Sequence, residues 1–351
     1  MIAARTAHRV QPKCPGPTTI WCRFTCVTVP ACYSGFVNRR QDPLAIDIDL
    51  PLHGTFHPVG FRLELDTNSP DVLRAAGESW SHYPAQVYPG DPLQFRVVVQ
   101  DEGELCGETQ HRAQGPLYSV VSDRDNFASL DLESLRASIF VSRRTAEDRA
   151  RLRWFFLESL AYMLLAQRHV VPVHAGCVAR GECGVLLCGG THAGKSTLSY
   201  ACARAGWNYV SDDAVFLLPG DGLRTVIGRH RHVRFRPDAP RLFPELERFV
   251  ARERPNGKLS IEIPLEELPE ITSAANAQAV CAVVLERGTD AGIERITPNE
   301  LTVTLLRDMP SYGPRVNAMH ERAVAHLAEI RAFRLRYRRL DTALDHLGRL
   351  V

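Results

Sequence analysis

The sequence predicts an α/β fold, with a mixed sheet in the second half of the chain and a small α+β domain before it. Three observations carry this reading. The apolar run Val185-Leu186-Leu187-Cys188 has the length of a buried strand and leads into a glycine-rich segment. Leu198, Ala201, Cys202 and Ala205 then recur at helical spacing, and Gly206 supplies the stop expected just past a helix end. A strand over 207–210 follows at once, with turn residues at Arg180-Gly181-Glu182 before the segment and Pro219-Gly220-Asp221-Gly222 after it, so hairpins flank the central unit and neighbouring strands cannot all be parallel.

At 351 residues the chain has room for two domains. Residues 1–45 mix Arg, Pro, Cys and Thr with no sustained period and read as a poorly ordered tail. Residues 46–137 read as the small α+β domain, with strand-like alternation in 61–65 and 93–99 and a short helix opened by Ser69 and Pro70. Residues 138–351 carry the glycine-rich segment. Lys+Arg 42 against Asp+Glu 40 leaves a net charge of +2, without the clustered basic excess that nucleic-acid or membrane-surface binding requires. The richest apolar helix, around 154–166, is interrupted by Glu158 and Ser159 and is too short to span a bilayer, and the N-terminus has no apolar run of signal-peptide length. Of ten cysteines, Cys177, Cys188, Cys202 and Cys281 lie in apolar runs as small hydrophobes, and the expected setting is reduced and cytoplasmic. Cys22, Cys26 and Cys32 lack the downstream Cys or His pair that a zinc site needs.

The remaining elements follow in order. Ile139-Phe140-Val141 is a strand, and Thr145 with Asp148 three residues on resembles a capping box. The next helix gathers Leu152, Phe155, Phe156, Leu160, Met163 and Leu164 on one apolar face. Residues 171–179 form a strand that turns near Glu182 into the strand feeding the glycine loop, an antiparallel register that sets His174 level with Gly190. Beyond the paired acids at 212 and 213 come a strand over 214–218, an Arg- and His-rich run over 228–236, a hairpin turn at Asn256-Gly257-Lys258 and a buried strand over 280–285. A helix over 316–332, a strand over 333–337 and a helix over 342–350 close the chain.

Gly189-Gly190-Thr191-His192-Ala193-Gly194-Lys195-Ser196-Thr197 matches G-x-x-x-x-G-K-[ST] without a mismatch, in the strand-loop-helix setting that the motif demands. Glycines at both ends let successive amides face one anion, Lys195 reaches the outer phosphates, and the Ser196 hydroxyl suits Mg²⁺. Asp212 and Asp213 end a strand beside this loop; two adjacent carboxylates there need a neutralising cation, which makes them candidates for metal ligand and base. The arginines at 229, 231, 234 and 236 suit phosphate or carboxylate groups as well as they suit a solvated strand face.

The order Pro172-Val173-His174-Ala175, then 189–197, then Val210-Ser211-Asp212-Asp213 resembles the catalytic domain of HPr kinase/phosphorylase and its wider group of P-loop serine kinase-like proteins. The resemblance is densest over 169–218. It implies the mixed-sheet fold that this family shares with phosphoenolpyruvate carboxykinase, ATP and Mg²⁺ as cofactors, and Lys195 on the β- and γ-phosphates. It further implies Ser196 and Asp213 as metal ligands, Asp212 as base on the acceptor hydroxyl, and His174 against that base. The glycine-rich family signature downstream of the acids is missing, and Val226-Ile227-Gly228-Arg229 stands in its place. The expected acceptor is therefore a serine-type hydroxyl in a protein, a peptide or free serine rather than HPr itself, with homo-oligomer formation left open. The alternative is a non-catalytic ATP-binding sensor of the same fold.

Overall fold

In the computed structural model, the residues described are 48–351 apart from Gln86, 221–223 and 289–291. The tail over 1–45, the cluster Cys22, Cys26 and Cys32, and the tip of the turn at 219–222 lie outside them. The fold is mixed α/β, built on two large sheets and a small one.

The first sheet has seven strands. Leu63–Thr67, Leu93–Gln100 and Arg136–Ser142 run parallel at its centre, with an antiparallel strand, Leu52–Phe56, on one side and the meander Phe127–Asp131, Leu117–Val121 and Gln110–Gln114 on the other. The helix Pro70–Trp80 makes the parallel crossover; the Ser69 hydroxyl accepts from the Asp71 amide at its start. It runs well past the short helix expected. Ser142 rather than Thr145 caps the next helix, Arg143–Glu147, because Thr145 is buried with its own amide donating to the Ser142 hydroxyl; Asp148 caps the turn after it. The apolar helix that follows is π-wound over Leu152–Glu158 and α-helical over Ser159–Ala166, with Leu152, Phe155, Phe156, Leu160 and Leu164 buried and Met163 half-buried.

The second sheet has nine strands, centred on Asn276–Arg287. This strand pairs in parallel with Cys183–Cys188 and with Arg331–Tyr337, and its first residues pair antiparallel with Thr225–Gly228, so parallel and antiparallel ladders coexist as expected. One face is covered by the helices Pro298–Leu306 and Pro314–Leu327, through Leu301, Leu305, Val324 and Leu327. The other is covered by Lys195–Arg204 and Leu340–Gly348, through Leu198, Cys202, Ala343 and Leu347. Cys177, Cys188, Cys202 and Cys281 are free and buried among these apolar groups. The expected helix over 316–332 ends earlier, and Arg331 already begins the following strand.

The expected strand over 171–179 is broken at His174. Val171–Val173 pairs with Val215–Leu217, whereas Ala175–Arg180 pairs with Cys183–Cys188 and with Asn208–Ser211. Val173 faces Val215 and Cys177 faces Ser211, so a single antiparallel register continues across the break. That register brings the residue pair 212–213 opposite 175–176, one step from His174. No side chain fits at Gly176: a Cβ there would lie 2.8 Å from the Ser199 hydroxyl and 3.2 Å from the Asp212 carbonyl. A third sheet, His232–Phe235 with Leu259–Pro264 and Arg252–Glu253, folds over the helix Lys195–Arg204 and buries Phe235, Phe243 and Tyr200 together. Gly257, at φ 74°, closes the hairpin expected at 256–258.

Candidate functional site

The strand Cys183–Cys188 ends at Gly189, and the helix Lys195–Arg204 begins immediately after Gly194. Between them the backbone takes left-handed conformations at Gly189 (φ 139°), His192 (φ 75°) and Gly194 (φ 98°). Glycine carries the first and last without steric cost, while His192 holds a conformation that L-residues rarely adopt. Gly189 also admits close packing, since a Cβ there would meet Ala193 at 2.8 Å and the Leu285 carbonyl at 3.1 Å. The Tyr337 hydroxyl donates to the Ala193 carbonyl at 3.2 Å, and the Arg287 guanidinium lies 4.5 Å from the Tyr337 ring centre, so the last strand of the sheet braces the loop from below. From the other side, Arg236, just past the strand His232–Phe235, donates to His192 Nε2 at 2.8 Å.

Gly194 is the residue before the helix and offers no side chain to its first amides. The free N–H groups of the first turn and the positive end of the helix dipole therefore face the loop, which is the arrangement that favours an anion. Lys195 is buried, and its Nζ donates to the Gly189 carbonyl at 2.8 Å, drawing the ammonium across the loop. Burial lowers its pKa, and the nearby charges of Asp213, Asp308 and Asp212 oppose that fall. Gly190, Thr191 and His192 are exposed, while Ala193, Ser196 and Thr197 are half-buried.

The paired acids differ sharply. Asp212 is 3 % exposed; its Oδ2 accepts from the Arg234 amide at 3.1 Å, and burial pushes its pKa above the usual carboxylate value against the pull of the Arg234 charge. Asp213 is exposed, and its Oδ1 lies 3.0 Å from His174 Nε2; that hydrogen bond, with the positive charges around it, holds its pKa at about 2. His174 thus stands against the second acid and not the first, correcting the expectation that it sits beside Asp212. The break in its strand is the reason, because it turns the imidazole out of the ladder toward the exposed carboxylate. The register was also expected to set His174 level with Gly190. The turn falls on Gly181 and Glu182, so Ala175 pairs with Cys188 and His174 comes level with Gly189.

Asp308 completes this group: its Oδ2 lies 3.2 Å from His174 Nδ1. Sequence reasoning missed it, although Thr297 and Glu300 form a capping box that marks the start of the helix Pro298–Leu306, with Asp308 just beyond its end. With a carboxylate at each nitrogen, the ring is favoured in its protonated, doubly donating form, and its pKa is raised, chiefly by Asp213. Among the described residues no three His, Cys, Asp or Glu side chains gather as a metal cluster. Mg²⁺ at a phosphate site does not need one, since it retains waters and draws ligands from phosphates and one or two protein groups. A carboxylate held ionised to about pH 2 at Asp213 and a half-buried hydroxyl at Ser196, in the first turn of the loop helix, are donors of the kind such an ion takes.

No family model matches the chain, and no curated protein matches it. Among solved structures it is similar to the Hpr(Ser) kinase/phosphatase from Coxiella burnetii, at 14% identity and a TM-score of 0.25, over 51% of this chain and 96% of that one. No helix among the described residues is long and apolar enough to cross a membrane.

Proposed function

We propose that the chain is an ATP-dependent phosphotransferase that moves the γ-phosphate to a serine-type hydroxyl. The carrying observation is the division between the adjacent acids: Asp212 is buried with a raised pKa, and Asp213 is exposed and held ionised beside a glycine loop. Two neighbouring titratable groups pushed in opposite directions are the pattern expected of a base and a permanent anion. In this reading the amides of the loop and of the first helical turn bind the phosphates, and Lys195 neutralises the outer ones. Ser196 and Asp213 would hold Mg²⁺, which when bound supplies charge neutralisation at the β- and γ-phosphates.

Asp212 then accepts the acceptor's proton. The hydroxyl oxygen bonds to the γ-phosphorus, the bond to the bridging oxygen breaks, and ADP leaves with the electron pair. A carboxylate whose pKa lies closer to neutrality is the better proton acceptor, and general-base assistance contributes typically about 10²–10⁴-fold. His174 and Asp308 act through Asp213 by fixing its orientation, so both are positioning residues. The acceptor class, a serine in a protein or peptide or free serine, follows from the resemblance of the motif order.

Incubation with γ-labelled ATP, free serine, HPr and a cell lysate tests this reading. It requires labelled product with wild type, and Asp212→Asn must retain nucleotide binding while losing transfer. Tight Mg–ATP binding with no labelled acceptor in any pool would instead favour a nucleotide sensor.

A further inference from the structure

The side chain of Arg234, whose amide bonds Asp212, lines a small cavity that is open to solvent. Its walls come from the helix Pro70–Trp80, the π-wound turn and the small third sheet, and they carry five arginines against three glutamates. Three of the arginines are matched: Arg229 to Glu158 at 2.6 Å, Arg234 to Glu262 at 2.8 Å and Arg153 to Glu78 at 3.1 Å. Arg231 and Arg254 are in excess. Among the described residues Arg231 reaches the Glu78 carbonyl and, at 4.0 Å, the carboxylate of Glu266, and its Nε is buried with no partner among them. Arg254 pairs with no carboxylate among the described residues, and its guanidinium carbon sits over Trp154, 4.4 Å from the ring centre.

A half-buried cation with no counterion, as at Arg254, or with only a distant and exposed one, as at Arg231, is unfavourable unless something anionic completes the site. The lining supplies no such relief: His82 and His232 are kept neutral there, with pKa values lowered to about 3 and about 4. Burial, followed by the charge of Arg234, lowers even the pKa of Arg254. Arg153 Nε and His82 Nδ1 are likewise buried without partners among the described residues. Planar guanidinium forks bind carboxylate and phosphate groups in a bidentate manner.

We propose that this cavity binds an acidic group, a carboxylate or a phosphate, carried by the phosphoryl acceptor. Arg234 joins the two places: its side chain lines the cavity while its amide holds the carboxylate of Asp212, so an acceptor anchored by its acidic end lies beside the base. That the ligand is the acceptor rests on the phosphotransfer reading above; that the cavity takes an anion does not.

The test is calorimetric titration of malonate and of inorganic phosphate into full-length protein whose glycine loop is saturated with Mg²⁺ and a non-hydrolysable ATP analogue. Saturable binding of at least one anion is expected, weakened about tenfold or more in Arg254→Gln and in Arg231→Gln, with analogue affinity unchanged. The anion preferred identifies the group. Arg254 sits at the base of a surface hairpin, so its replacement leaves the core intact. No binding of either anion to wild type, or equal binding by both variants, overturns the proposal. Should the analogue itself fail to bind, the kinase reading falls, and the same titration in Lys195→Ala still decides the cavity.

Discussion

His174 Nε2 lies 3.0 Å from Asp213 Oδ1, and the adjacent Asp212 takes its hydrogen bond from the Arg234 amide instead. Neighbours in sequence thus face opposite environments, one turned toward solvent and an imidazole, the other into the protein beneath the third sheet. The first stays ionised. The second is easier to protonate. Assigning anion and base to this pair requires knowing which of them the histidine touches, and only the break in the strand at 174 decides it.

Replacing His174 by Gln should release Asp213 toward an ordinary carboxylate pKa and disorder its side chain. Outer partners of metal-binding carboxylates typically contribute about 10–100-fold in metal affinity, so the Mg²⁺ concentration needed for half-maximal nucleotide binding should rise by that order. The pH dependence follows from the two shifts. Asp213, depressed to about 2, contributes stability above its unfolded value and loses it as pH falls toward 2. His174, with a raised pKa, contributes fully below 6.5 and loses its share as pH rises through the folded value. The stability difference between wild type and the variant should therefore be greatest between about pH 4 and 6.5. A difference independent of pH in denaturant titrations would remove the ion pair from the account.

Gly194→Ala tests the loop. An L-residue in the left-handed region costs about 1–2 kcal/mol, and here the new methyl would also collide with the Tyr337 hydroxyl and approach Arg287 Nη2 at 2.9 Å. Stability should fall by more than the backbone term alone, and nucleotide binding should be lost even where the protein remains folded. Tyr337→Phe removes only the brace on Ala193 and should cost about 0.5–1.5 kcal/mol, the worth of one hydrogen bond. Thermal denaturation beside analogue titration separates the two effects.

The arginine-lined cavity makes the fold acid-sensitive. His82 and His232 resist protonation when folded but take up protons near pH 6.5 when unfolded. Between that pH and about 4 the unfolded chain binds more protons, so stability declines by at most about 1.4 kcal/mol per pH unit per histidine. His82→Gln should flatten this slope. Guanidinium-chloride midpoints at pH 7, 6 and 5 that fall in parallel for both proteins would contradict the assignment.

How much of this could be read in advance differs from residue to residue. The glycine loop, its feeding strand and its helix were legible because one local motif and one hydrophobic period specify them together. Asp212 and Asp213 were legible as a pair but not as individuals, since burial of one and not the other depends on the third sheet folding over the loop helix. Asp308 lies 134 residues from His174, and no local pattern encodes a contact set by two helices packing on the sheet. The Arg and His run at 228–236 read equally as a wet strand face. Arg229, Arg231 and Arg234 line a cavity because Leu259–Pro264 pairs beside the run and Glu158 and Glu78 come from the first half of the chain, while Arg236 turns to His192.

The capping box before Pro298–Leu306 links local helix stability to the site. Thr297→Ala removes the hydroxyl that accepts from the Glu300 amide and donates to its carboxylate, leaving only the backbone N–H of position 297 on that carboxylate, at a cost of about 0.5–2 kcal/mol to the helix start. Asp308 follows the other end of that helix, so fraying should loosen its hold on His174 without removing it. Asp308→Asn removes the carboxylate outright. In both variants the His174 pKa, read by NMR, should fall but stay above its ordinary value, because Asp213 is the larger cause of its elevation. Asp308→Asn should show the greater fall and Thr297→Ala a partial one that tracks helix stability. A full return to the ordinary histidine value in Asp308→Asn would mean that Asp308, not Asp213, holds the ring, and the metal-ligand role proposed for Asp213 would lose its positioning partner.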